Sequence, residues 1–134
     1  MRLENINNIG IIGGGLMGHG IAIQFARFGY KVLLNDLSEQ HLDDSIKNID
    51  STCKIMNKTG IINNNEIKKI KENISTTLSL KHTSENSDFI VEAVFENIKV
   101  KQNIFFELDK YCEKDIVLAS NTSSFKASQI SEKC

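Results

Sequence analysis

The run Gly13-Gly14-Gly15-Leu16-Met17-Gly18 satisfies the spacing Gly-x-Gly-x-x-Gly. Its chemistry is anion binding by backbone. Gly13 permits a tight turn, Gly15 lets the main chain approach a pyrophosphate, and Gly18 lets a helix pack close to a strand. The free N–H groups and positive dipole end of the helix starting at Leu16 and Met17 then face the diphosphate. A second candidate is Asp36, 36 − 13 = 23 positions past the first glycine, where a carboxylate can hydrogen-bond the adenosine ribose hydroxyls. An acid there repels a 2′-phosphate, so NAD is expected over NADP. A third is the polar run Asn121-Thr122-Ser123-Ser124. From spacing alone it reads equally as a turn.

These residues need a scaffold that brings them to one crevice. Short apolar runs alternate with segments of helical period, the pattern of a parallel sheet with crossover helices. Strands are expected at 8–12, 30–35, 74–77, 89–93 and 116–119. A helix from Leu16 should turn Ile21, Ala22, Phe25, Ala26 and Phe28 to the sheet and stop at Gly29. Ser38 should cap a long helix with the stripe Leu42, Ile46, Ile49, Cys53 and Met56. Asn65 should cap a shorter helix, the span 77–87 has no clear assignment, and a further helix should bury Val100, Ile104, Leu108 and Tyr111. In an open parallel sheet, ligands sit beyond the carboxyl ends of the strands, so the glycine run, residues 93–96 and residues 121–124 are expected to converge there.

Composition sets the outer bounds. The 134 residues make one domain of ordinary globular type, with 40% hydrophobic and 25% charged residues and a net charge of −1. Without a basic excess, neither nucleic acid nor an anionic membrane is an expected partner. No apolar run approaches a membrane span, and Met1 to Asn5 carry no signal-peptide core, so a cytoplasmic protein is expected. Cys53, Cys112 and Cys134 are widely spaced and without a C-x-x-C pair, which suggests neither a disulfide framework nor a metal site. The chain has no proline and no low-complexity linker, so residues 1–134 read as one unit.

Several blocks together resemble the NAD-binding domain of 3-hydroxyacyl-CoA dehydrogenases. They are Gly13 to Ala22, Asp36, the segment from Asp88 to Asn97 with Lys99-Val100-Lys101, and Leu118-Ala119-Ser120-Asn121-Thr122-Ser123-Ser124. The resemblance implies a Rossmann-type, doubly wound α/β sheet and interconversion of (S)-3-hydroxyacyl-CoA with 3-oxoacyl-CoA, NAD carrying the hydride. A short, 3-hydroxybutyryl-CoA-like substrate is expected. By position, Asp36 would bind the adenosine ribose; Ala93, Glu96 and Lys101 would line the cofactor, the last two near the nicotinamide half; and Asn121 would line the nicotinamide pocket. Ser123 would hydrogen-bond the reacting oxygen of the substrate, and Lys54 and Lys58 are candidate contacts for coenzyme A phosphates.

The family's proton-accepting histidine and the glutamate that orients it are expected beyond Cys134, as is a helical domain that would make a homodimer. The chain is therefore expected to stop short of that domain and to be inactive alone. Its three histidines match none of the family's catalytic positions; His19 reads as packed or solvated, His41 as surface and His82 as loop. Two other readings remain: another 3-hydroxy acid or sugar-acid dehydrogenase of the same superfamily, and a non-catalytic NAD-sensing module.

Overall fold

The computed structural model describes residues 3–134; the opening Met1 and Arg2, on which part of the signal-peptide expectation rests, lie outside the described residues. After a 3-10 turn at Leu3–Asn5, the chain runs β1 (Asn8–Ile12), α1 (Leu16–Arg27), β2 (Lys31–Asn35), α2 (Glu39–Lys58), α3 (Asn64–Asn73) and β3 (Ile74–Thr77). It continues with α4 (Leu80–Glu85), β4 (Phe89–Glu92), α5 (Ile98–Tyr111), β5 (Val117–Ser120) and α6 (Ala127–Ile130). The strands form one sheet in the order β3-β2-β1-β4-β5, every pairing parallel. This is the expected doubly wound α/β fold. The order reverses at β1, which has β2 on one side and β4 on the other, so the crevice between the diverging crossovers lies at the carboxyl end of β1.

Two cores hold the layers. Ile9, Ile11, Val32 and Leu34 pack with Ala22, Ile23 and Ala26 of α1, Ile49 and Cys53 of α2 and Ile70 of α3. On the opposite face Ile12, Ile90 and Leu108 form a smaller core with Leu80 and Ile104. The α1 terminus is a Schellman turn: Gly29, at φ +96°, donates to the Ala26 carbonyl and Tyr30 donates to the Phe25 carbonyl.

Periodicity placed the helices but misjudged several faces. Phe28 lies past the last turn of α1 and is 72% exposed, while Ile23 takes the core position. In α2 Ser45 is buried and Ile46 is largely exposed. The Ser45 hydroxyl donates to the Gly14 carbonyl at 2.9 Å, a polar contact that a hydrophobic pattern cannot register. The cap of α3 is Asn63, which accepts from the Glu66 N–H, and Asn65 lies inside the helix. The unassigned span forms α4, capped by Ser79. In α5 the buried face is Lys101, Gln102, Phe105 and Leu108, with Tyr111 exposed, because the Lys101 ammonium is drawn inward. The short α6 was not expected. No helix among the described residues is long and apolar enough to cross a membrane.

Candidate cofactor site

One row of residues crosses the whole sheet: Thr77 pairs with Asn35, Asn35 with Ile12, Ile12 with Glu92, and Glu92 with Ser120. One position further along each strand stand Leu78, Asp36, Gly13, Ala93 and Asn121. The chain thus leaves the sheet at a common edge through four of the residues singled out by sequence. Main-chain bonds extend the row by one step, since Gly13 donates to Asn35, Ala93 to Ile12 and Asn121 to Glu92.

The glycines of the β1–α1 turn do different work. Gly13 sits at φ +95°, and a Cβ there would touch the Ala93 carbonyl. A Cβ on Gly18 would lie 1.7 Å from the Gly13 oxygen, and one on Gly14 would lie 2.0 Å from the Ser45 hydroxyl. These two are glycine because protein fills the space. A Cβ on Gly15 would meet nothing within 4 Å. The space before Gly15 is open, at the start of a helix with no side-chain cap, so the first-turn N–H groups of Leu16 and Met17 are left for a ligand.

Asp36 is tied to this loop. Its Oδ2 accepts from the Gly14 N–H at 2.9 Å and its Oδ1 from the Leu37 N–H at 2.7 Å. The His41 Nδ1 stands 3.3 Å from the same Oδ1. A cleft of about 590 Å³ opens beside them, with Gly13–Gly15, Asp36, His41 and Ser45 on one wall and Ala93, Val94, Phe95 and Ile104 on the other. Its size and apolar far wall suit a flat heterocycle with a sugar against the carboxylate. His19 is packed, its Nδ1 2.7 Å from the Gly15 carbonyl and its Nε2 3.1 Å from the Thr52 hydroxyl, so it braces the loop.

The β4–β5 side is built from charge. Lys101 and Glu92 have fully buried side chains, with Nζ 2.8 Å from Oε1. The same ammonium lies 3.0 Å from Glu96 and donates to the Val94 carbonyl. Glu92 also accepts from the Val94 N–H and from the Ser120 hydroxyl. Glu96 accepts from Thr122 at 2.7 Å; that hydroxyl, with the Lys101 ammonium, holds the Glu96 carboxyl below the ordinary glutamate range. Asn121 and Ser123 stand exposed on the turn thus anchored.

Glu92, Ser120 and Thr122 lie in the blocks noted from sequence but received no individual role there. A glutamate closing the apolar run Phe89-Ile90-Val91 was the available signal, because a carboxylate buried there requires a cationic partner. Lys101 is placed beneath the site with three protein acceptors. Lys54 and Lys58 are exposed on α2 and do not line the cleft.

Comparison with known proteins follows the same outline. The sequence profile of the family described as 3-hydroxyacyl-CoA dehydrogenase, NAD binding domain, matches residues 8–134. The chain is 38% identical to the glyoxysomal fatty acid beta-oxidation multifunctional protein MFP-a of Brassica napus, over 97% of this chain and 18% of that protein. It is 36% identical to mitochondrial hydroxyacyl-coenzyme A dehydrogenase of Rattus norvegicus, over 93% of this chain and 41% of that protein. The crystal structure of FadB2 from M. tuberculosis superposes with a TM-score of 0.91 at 31% identity, over 96% of this chain and 45% of that one. The chain spans less than half the length of each of these relatives.

Proposed function

Because the chain belongs to the 3-hydroxyacyl-CoA dehydrogenase family as its NAD-binding domain, we propose that it serves as the cofactor half of an oxidoreductase interconverting (S)-3-hydroxyacyl-CoA and 3-oxoacyl-CoA. The observation that carries the reading is the in-register row of strand ends, from which the glycine loop, Asp36 and the Asn121–Ser124 turn all leave at one edge of the sheet. NAD supplies the hydride acceptor when bound. The N-terminus of α1 and the open face of Gly15 hold its pyrophosphate, and Asp36 holds the adenosine ribose. Ala93 and Asn121 flank the strand ends on the nicotinamide side, with Glu96 and Lys101 behind them. Ser123 donates a hydrogen bond to the reacting oxygen of the substrate, an interaction that strengthens as charge builds there. A short substrate such as 3-hydroxybutyryl-CoA, contacts from Lys54 and Lys58 to coenzyme A phosphates, a homodimeric whole enzyme and a cytoplasmic location complete the proposal.

Hydride departure from a hydroxyl carbon needs the hydroxyl proton removed in step, and a placed base contributes about a hundred- to ten-thousandfold. None of the chain's histidines is on the Ser123 turn: His19 is in α1, His41 in α2 and His82 in α4. Residues 1–134 alone are therefore expected to bind NAD weakly at best and to turn over no 3-hydroxyacyl-CoA. The test is NADH formation with acyl-CoA substrates of graded length, measured on this chain and on a longer protein containing it. Robust turnover by these residues alone would overturn the division of labour. In the longer protein, Ser123→Ala should lower kcat more than it raises KM, and an unchanged kcat would remove Ser123 from the chemistry.

A further inference from the structure

We propose that His41 is a second cofactor-discriminating residue: with Asp36 it forms a carboxylate–imidazole pair at the ribose end of the cleft, so that exclusion of a 2′-phosphorylated dinucleotide depends on pH. The inference rests on the reading of Asp36 as the ribose ligand.

The pair belongs to one braced unit. Ser38 caps the His41 N–H, and the single proton of the Ser45 hydroxyl is shared between the His41 carbonyl at 2.8 Å and the Gly14 carbonyl at 2.9 Å. The first turn of α2 is thereby fixed to the phosphate loop, and Asp36 is fixed to that loop through Gly14. The His41 side chain is nevertheless 56% exposed and lines the cleft, so a bound ligand can reach it. The other ionisable residues lining the cleft, Asp36 and Asp44, are both acids. Among the described residues His41 is the only cleft-lining side chain able to carry a positive charge.

With the imidazole neutral, the Asp36 charge stands alone and repels a 2′-phosphate. With it protonated, a cation 3.3 Å from Oδ1 offsets that charge and can itself pair with the phosphate. The charged groups beside the imidazole are Asp36 and Asp44, with the N-terminal end of α2 behind it. Across the cleft Leu78, Leu80, Asn103 and Ile104 are uncharged. An imidazole changes charge between about pH 5 and 8, so discrimination against NADP should narrow as pH falls through that interval. Affinity for NAD should stay level or weaken slightly, because the imidazolium competes for Asp36.

A 2′-phosphate itself takes up a proton near pH 6, which lessens its repulsion from Asp36 whether or not His41 is present. The variants separate the two effects. Calorimetric titration of NAD, with NADP measured by competition, is made at about pH 8.5 and about pH 5.5, on either side of the imidazole range. The proteins are the wild type, His41→Gln, His41→Arg and Asp36→Asn. The ratio of the NADP to the NAD Kd should fall roughly fivefold further in the wild type than in His41→Gln, the scale of an exposed ion pair. His41→Arg should show the lowered ratio already at the higher pH. Equal pH responses in the wild type and His41→Gln, or a His41→Arg ratio equal to the wild type at the higher pH, would overturn the role of His41. An Asp36→Asn ratio equal to the wild type at the higher pH, or a wild type that binds no NAD, would instead overturn the reading of Asp36 beneath it.

Discussion

The two sides of the crevice are held by opposite means. On the β1–α1–β2 side the backbone is positioned by steric fit: the Gly18 and Gly14 positions are filled by the Gly13 carbonyl and the Ser45 hydroxyl. On the β4–α5–β5 side the turn at residues 121–124 is positioned by charge, through Glu92, Lys101 and Glu96 with two hydroxyls. A pyrophosphate site built from main-chain N–H groups needs close backbone approach and little else. The turn that would meet the reacting end needs side chains at fixed places, and buried charge fixes direction as well as distance. On the first side Gly14 and Gly18 should therefore be intolerant of a methyl group, at a cost in stability that does not vary with pH. The second should show the reverse.

The largest expected effect is on the charged side. Lys101→Met leaves the fully buried Glu92 carboxylate without its cation, and breaking such a pair costs about 3–5 kcal/mol. Urea unfolding of the wild type and variant measures it. A loss below about 1 kcal/mol, the scale of a surface pair, would show that Glu92 is not held by charge.

Two glycine substitutions sharpen the other side. Gly18→Ala places a Cβ against the Gly13 carbonyl and should cost up to about 3 kcal/mol, because backbone must shift. Gly15→Val meets open space and should leave unfolding nearly unchanged while abolishing NAD binding. Circular dichroism with NAD titration separates the cases. Binding that survives in a folded Gly15→Val protein would show that the loop is not the phosphate site.

The steric side was the more legible in sequence, for the same physical reason. Glycines at fixed spacing are visible as letters, and Asp36 follows at a countable distance, so the β1–α1–β2 elements could be placed within a residue or two. The charged side depends on partners distant in sequence. Lys101 lies nine positions past Glu92 and Ser120 twenty-eight, and nothing local marks them as partners. Lys101 was assigned to the cofactor and the inward stripe to Val100, Ile104, Leu108 and Tyr111; of these Leu108 is buried, while Lys101, Gln102 and Phe105 complete the buried face. Ser45 and Ile46 were interchanged likewise: the hydroxyl is buried because a carbonyl of the glycine loop awaits it.

Asp36 is the carboxylate bonded to the glycine loop, and its substitution tests whether that side binds ligand by charge. Asp36→Ala removes the acceptor for the ribose and for the Gly14 N–H. A hydrogen bond to a charged group contributes about 1.5–3 kcal/mol, so NAD affinity should fall by that amount and discrimination against NADP should narrow. Equal wild-type affinities for the two cofactors would remove Asp36 from the selectivity argument.

The smallest effect distinguishes the two sides most directly. The Thr122 hydroxyl, followed by the Lys101 ammonium, holds the Glu96 carboxyl below the ordinary value of 4.5. A carboxyl depressed in the folded state contributes stability that is fully present above its unfolded pKa and is lost as pH falls through the folded one. Thr122→Val removes the largest cause of that depression. The wild type should therefore melt above the variant near neutrality, and the gap should narrow as pH falls through the depressed pKa of Glu96. It should not close, since Thr122 also accepts from the Ser124 and Phe125 N–H groups whatever the state of Glu96. Glu96 is 41% exposed, so solvent screens the interaction and the change is a small shift in Tm. Melting curves for the wild type, Thr122→Val and Gly18→Ala at about pH 6.5 and about pH 3 give the comparison. The gap between the wild type and Gly18→Ala, which arises from overlap of a methyl with a carbonyl, should be the same at both. A Thr122→Val gap equally constant would show that the turn is held by the hydroxyl's contacts to backbone, and that both sides of the crevice are built by fit.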